Sequence, residues 1–245
     1  MTEHPQLTAD SPPFGSEPID LFSRAPGGTE PRLRLRTRGG ALVPIDVRRW
    51  CSAADPADEE LLRRCRGPVL DIGCGPGRLV AALARRGTDA LGVDVAPTAG
   101  ALAEEAGARV LRTSVFDPLP DEGAWATVIL ADGSVGIGGD PHLLLGRIRR
   151  LLHPAGLLLL ETETAETDQR LTARWEDGDG RHSGWFPWAR LGAGAALRAA
   201  EQAGLRPREQ WSLRGRRFLA LNPTGPGGPA PARSPLVPAT GGVAL

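Results

Sequence analysis

The chain predicts an α/β fold: a doubly wound, mainly parallel seven-stranded sheet with an antiparallel last strand, the Rossmann-like arrangement. Three observations lead there. From Pro68 onward, short apolar runs alternate with stretches of helical length and period. A glycine-rich turn, "DIGCGPGR", joins the first of those runs to the first of those helices. The last two strand-like segments meet at Gly215, and a terminal hairpin must set at least one strand antiparallel to the others.

Taken in order, residues 1–30 are rich in Pro, Gly, Ser and Thr and show no period, so they are expected to be a disordered tail. Residues 31–54 form an N-terminal extension. There "RLRLRTRGGALVPIDV" alternates Arg and Leu and turns at Gly39-Gly40, which predicts a β-hairpin with Leu33 and Leu35 inward and the arginines outward. Those arginines suit either a solvated face or a grip on an anion, and the Arg-rich composition favours the solvated face. The main domain is expected over 55–222. It opens with "DPADEELLRRC", a helix with Asp55 as N-cap and Pro56 in its first turn.

The alternation then follows. "PVLDIG", "DALGVDV", "ARVLRTSV", "WATVILAD" and "AGLLLLETE" are strands; "GRLVAALARRG", "PTAGALAEEAG" and "DPHLLLGRIRRLL" are the helices among them, the last capped by Asp140. "WEDGDGRHSGWFPWAR" reads as a loop-like insertion, whose three tryptophans and Phe186 are either a pocket wall or a satellite core. "GAGAALRAAEQAG" is a further helix, and the two closing strands complete seven. Residues 223–245 are a second Pro/Gly-rich tail.

Composition narrows the function. Lys plus Arg and Asp plus Glu are equal at 29 each, with Arg supplying all of the former, so net charge pulls toward neither nucleic acid nor membrane. Cys51, Cys65 and Cys74 make no CxxC pair, which argues against zinc or a disulfide framework and for a reducing compartment. The N-terminus lacks the features of a secretory signal, and no apolar run is long enough to span a bilayer. A cytoplasmic, metal-free protein is expected.

In an open α/β sheet, ligands bind beyond the carboxyl ends of the strands where strand order reverses, the place a first strand-to-helix turn usually occupies. Glycines there let the backbone approach a ligand, and the helix N-terminus beyond offers free N–H groups. A Walker loop is excluded, because the chain has no Lys. A dinucleotide loop wants G-x-G-x-x-G, whereas here Gly73, Gly75 and Gly77 alternate. Asp94, ending the second strand, suits any ribose diol and does not discriminate.

"VLDIGCGPGRLV" followed by "LGVDVAP" resembles the first two motifs of the class I S-adenosylmethionine (SAM)-dependent methyltransferases. "FDPLP", "WATVILADG" and "RIRRLLHPAGLLLLE" are similar to that family's later strand regions, so the resemblance covers residues 55–222. A "GIGGDP" loop adds a resemblance to bacterial small-molecule methyltransferases. The resemblance implies SAM as cofactor and a small-molecule methyl acceptor, with neither nucleic acid nor membrane as partner. It implies that Asp71 orients the methionine end, that Gly73, Cys74, Gly75 and Gly77 form the loop, and that Asp94 takes the ribose hydroxyls. Val95 would pack on the adenine, Ser114 and Val115 would border it, and Ala131 would lie by the methionine. Ser114 stands where many members carry an acid, so Asp117 is a substitute candidate. Cys74 reads as a small filler, not a nucleophile.

A catalytic base is not evident. His182 in the Trp-rich insertion, His142 at a helix start and Asp132 at the end of the fourth strand are the candidates; His153 falls at the far end of the sheet. Trp50 and Arg49 are placed to close the pocket from the N-terminal side. Two other functions stay open at this point: a SAM-binding sensor or scaffold without transfer, and an NAD(P)-dependent oxidoreductase.

Overall fold

The computed structural model describes residues 33–177 and 182–225. The N-terminal tail expected over 1–30 lies outside the described residues, as does the C-terminal tail expected over 223–245 apart from 223–225, where Pro223 instead ends the last strand. The hairpin forms as β1 (Arg34–Thr37) and β2 (Leu42–Pro44), antiparallel, with Leu35 opposite Val43. Leu33 and Leu35 are buried, so period two has put the leucines on one face. Helix α1 (Val47–Cys51) starts at Asp46, whose carboxylate accepts the Arg49 N–H. Helix α2 (Pro56–Leu62) carries a capping box between Asp55 and Asp58.

The crossover units follow: β3 (Val69–Ile72), α3 (Arg78–Arg85), β4 (Ala90–Asp94), α4 (Pro97–Glu105), β5 (Val110–Arg112) and β6 (Trp125–Leu130). After β6 come a short 3-10 turn (Ser134–Gly136), α5 (Pro141–Leu151) and β7 (Leu152–Thr162). The chain continues through β8 (Asp168–Glu176), β9 (Phe186–Leu191), α6 (Ala193–Gln202), β10 (Leu205–Leu213) and β11 (Arg216–Pro223).

Seven strands form the main sheet in the order β10-β11-β7-β6-β3-β4-β5. β5, β4, β3, β6 and β7 are mutually parallel, and β11, the last strand in the chain, runs antiparallel between β7 and β10. Alternate residues of the central strands feed two cores. Leu70, Val128 and Leu158 pack with Leu144 and Ile148 of α5 on one face, while Val69, Ile129 and Leu159 pack with Leu61, Val80 and Leu83 on the other. Strand order reverses at β3, with β4 on one side and β6 on the other, which opens a crevice at their carboxyl ends.

The segment read as a loop-like insertion instead supplies the end of β8 and most of β9 to a second sheet, of order β2-β1-β8-β9 and wholly antiparallel. Its strands were hidden by the polar residues on the outer face of "DQRLTARWE", although Leu171, Ala173 and Trp175 keep the alternation that a strand requires. The N-terminal hairpin is therefore not free-standing: β1 pairs along β8, with Leu35 opposite Trp175. Among the described residues, no helix is long and apolar enough to cross a membrane.

Candidate active site

The glycine loop leaves β3 at Gly73 and enters α3 at Arg78. Gly73, Gly75 and Gly77 all have left-handed φ, at 68°, 53° and 78°, a region costly for any residue with a Cβ. Gly73 is fixed by space as well: a methyl group there would lie 2.7 Å from Ser134 Oγ and 2.9 Å from Ile137 Cδ1. Gly75 donates its N–H to Asp94 Oδ2 at 2.9 Å, and Ala96 donates to Asp94 Oδ1 at 2.8 Å. Asp94 thus ties the end of β4 to the loop. Burial raises its pKa, with the amides of Ala96, Gly75 and Val95 pulling the other way.

Beyond the loop lies a cavity of about 540 Å³, within the usual range for small-molecule sites, roughly 300–1,000 Å³. Of the residues singled out in the sequence, Gly73, Cys74, Gly75, Asp94, Val95, Ser114, Val115 and Asp132 line it, as do Arg49 and Trp50. Asp71, Gly77 and Ala131 are buried but do not line the cavity. The Asp71 carboxyl is pushed up to about 8, first by burial and then by the charges of Asp132 and Asp94, against the pull of Arg78. Cys74 is packed close to Gly92, where a methyl group would meet its sulfur at 2.5 Å. Burial and the nearby Asp71 and Asp94 raise its thiol well above the ordinary range, so it stays protonated and serves as a filler.

The base candidates do not assemble. His142 is exposed in the first turn of α5, where its backbone N–H goes to the Asp140 cap. His182 is exposed, with Nδ1 3.1 Å from the Ser183 carbonyl. Neither lines the cavity, and His153 is exposed beside Ala155. Asp132 does line it, in a left-handed conformation at φ 53°. Its carboxylate, however, accepts from Arg49 Nη2 and from Arg78 Nη1, each at 2.5 Å. Two guanidinium groups hold this carboxylate toward the arginines around it, which makes it an orienting group of the cavity.

Asp132 belongs to a buried network that sequence reading missed. Arg78 grips Asp58 with two bonds of 2.9 and 2.8 Å. Arg216 donates twice to Glu161, both at 2.8 Å, and once to Asp58 at 2.7 Å. Glu161 in turn accepts the Asp132 backbone N–H at 2.8 Å. Burial opposes the charge on Asp58, but Arg78 and then Arg216 outweigh it and hold the carboxyl down at about 2. One signal was available. An arginine in the first turn of a helix faces an unfavourable dipole, so Arg78 required an acidic partner.

The wall opposite the glycine loop comes from the second sheet and its flanks. Trp50, Trp175, Phe186 and Trp188 line the cavity and pack edge-on or tilted, with ring centroids 5.5 to 6.2 Å apart. The two readings of these aromatics are both realised, since Trp175 and Phe186 are also the core of the second sheet. Trp185 turns outward, between the guanidinium groups of Arg38 and Arg174. The "GIGG" glycines make room for this wall: a methyl group on Gly136 would lie 2.3 Å from the Ala189 carbonyl, and one on Gly139 would lie 2.7 Å from Pro187. At the far rim, Ser114 Oγ accepts the Phe116 N–H at 3.2 Å, while Asp117 accepts from Thr113 Oγ1 and does not line the cavity.

Comparison with known proteins agrees with this geometry. The family described as "Methyltransferase domain" matches residues 47–210. A ubiquinone biosynthesis O-methyltransferase of Azorhizobium caulinodans is 40% identical over 111 residues, covering 43% of this chain and 44% of that protein. Matches of this kind span less than half the length of the curated relatives. A SAM-dependent methyltransferase from Bacteroides fragilis, solved with S-adenosyl-L-homocysteine, shares the fold with a TM-score of 0.68 at 19% identity, covering 84% of this chain and 92% of that one. The 1,6-didemethyltoxoflavin-N1-methyltransferase of Burkholderia thailandensis gives 0.54 at 21% identity, covering 74% and 82%. A family match over more than half of its length, on this fold and with this glycine loop, makes the chain a member of the class I SAM-dependent methyltransferases.

Proposed function

We propose that this protein transfers the methyl group of SAM to a small-molecule acceptor held between the glycine loop and the aromatic wall. The observation that carries this reading is the cavity at the reversal of strand order, with the Gly73–Gly77 loop and Asp94 on one side and the tryptophans on the other. Bound SAM would supply an activated methyl on a sulfonium, open to in-line displacement.

The chain supplies position and dryness. Asp94, already held by two amides, has lone pairs left for a ribose diol. Gly73 and Gly75 bring backbone to the ligand without a side chain between. Val95 and Val115 give apolar contact for a flat base, and Ser114 replaces the acid often found beside its amino group. Asp71, buried near the end of β3 behind the loop, would set negative charge near the amino-acid end of the cofactor once ionised. Arg49 and Trp50 of α1 cover the cavity from the N-terminal side, and the Arg49–Asp132 pair secures that cover.

The test is transfer itself. Purified protein is incubated with methyl-labelled SAM and a filtered small-molecule extract, and in parallel with protein and nucleic acid fractions. Label in the small-molecule fraction alone is expected. Label confined to a macromolecular fraction would contradict the proposal.

A further inference from the structure

Resting on that reading, we propose that the acceptor is a flat, uncharged aromatic or heteroaromatic molecule methylated on a nitrogen whose lone pair is free at neutral pH. Three features of the cavity converge on this class. The first is shape and chemistry. Trp50, Trp175, Phe186 and Trp188 form one continuous aromatic surface, which gains most from another ring stacked or set edge-on against it.

The second is the lack of a proton acceptor. The chain contains neither Lys nor Tyr, and among the described residues no histidine lines the cavity. Of its carboxylates, Asp132 is paired with two arginines, Glu161 with Arg216 and Glu163 with Arg190 through bonds of 2.7 and 2.9 Å, while Asp94 accepts from two amides and its remaining lone pairs are assigned to the ribose. Asp46 accepts the Arg49 N–H as the cap of α1. A neutral hydroxyl needs its proton removed at or before attack, whereas an aryl amine or a ring nitrogen does not.

The third is charge. The lining holds five carboxylates, on Asp46, Asp94, Asp132, Glu161 and Glu163, against three arginines, Arg49, Arg78 and Arg190. That excess of negative charge suits a cationic cofactor and works against an acceptor that arrives as a carboxylate or phenolate. In the transfer, the nitrogen lone pair makes the new N–C bond while the S–C bond of SAM breaks and its electrons return to sulfur. A product N–H gives its proton to water.

The experiment loads the full-length protein with S-adenosylhomocysteine and titrates aminoquinoline, hydroxyquinoline, quinoline carboxylate and cyclohexanol, following tryptophan fluorescence and heat. Aminoquinoline is expected to bind and quench, with the carboxylate and the saturated alcohol each weaker by about tenfold or more. Trp188→Leu is expected to weaken aminoquinoline by about tenfold while leaving S-adenosylhomocysteine binding unchanged. With SAM in place of the product, the methyl is expected on nitrogen. Equal or tighter binding of the carboxylate or of cyclohexanol, no binding of any aromatic compound, or a methyl ether from hydroxyquinoline would each overturn the acceptor class. Failure of S-adenosylhomocysteine itself to bind would instead bring down the cofactor reading, and the acceptor class with it.

Discussion

Asp71 is the residue whose charge depends most on what fills the site. Burial holds its carboxyl near about 8, so in the free protein it keeps its proton at neutral pH. A cationic amino-acid end bound over the loop favours the carboxylate, and binding then releases that proton. Affinity for S-adenosylhomocysteine should therefore rise with pH up to about 8, by at most about tenfold per unit, and level off above. Calorimetry in buffers of different ionisation heat checks this, and Asp71→Asn should flatten the profile. The stability linkage has the opposite direction. The folded value lies above the ordinary value of 3.8, so Asp71's contribution is complete below about 4 and is lost as pH rises to about 8. Asp71→Asn should thus melt higher than the parent near pH 8. Asp94→Ala removes one charge-assisted bond from the loop, at Gly75, and one from Ala96, each typically about 1.5–3 kcal/mol; a large loss of S-adenosylhomocysteine affinity in a folded protein is expected, and unchanged affinity would remove Asp94 from the site. At this scale the sequence was informative where backbone need dictates residue type. Gly73 and Gly75 were legible because left-handed φ demands glycine, whereas Asp58 and Glu161 look like any surface acid until folding places them beside Arg78 and Arg216.

Among the elements, the four-stranded sheet was the least legible. Its strands come from two parts of the chain far apart in sequence, and β8 shows water so many charged residues that only alternate positions betray it. The helices and the parallel strands were readable because each carries a long apolar period of its own. The second sheet also explains the glycines after β6, which let β9 approach the 3-10 turn. Gly136→Val should therefore cost about 1–3 kcal/mol or more by overpacking against Ala189. Urea denaturation would show it, and an unchanged midpoint would mean that β9 does not seat on this turn. Arg147 of α5 acts similarly on the other rim, donating to the carbonyls of Val115 and Asp117 and pairing with Glu122, so one helix fixes the loop after β5.

At the scale of the molecule, the Asp58–Arg78–Arg216–Glu161–Asp132 network joins α2, α3, β6, β7 and β11 beneath the cavity. Breaking it should cost far more than any surface ion pair. Asp58 is fully buried, and Asp58→Ala takes from Arg78 and Arg216 the carboxylate they share, leaving them Asp132 and Glu161, a loss of about 3–5 kcal/mol. Because its folded value of about 2 lies below the ordinary value of 3.8, its contribution is present above about 4 and lost as pH falls toward about 2. Acid unfolding of the parent should be steeper across that window than that of Asp58→Asn. The central claim, that the crevice at the head of β3 and β4 is a SAM site, is tested most directly by calorimetric titration of the purified protein with S-adenosylhomocysteine, alongside NADH and NADPH. Micromolar binding of S-adenosylhomocysteine alone is the predicted result; binding of a nicotinamide nucleotide in its place, or no binding by any of the three to folded protein, would contradict it.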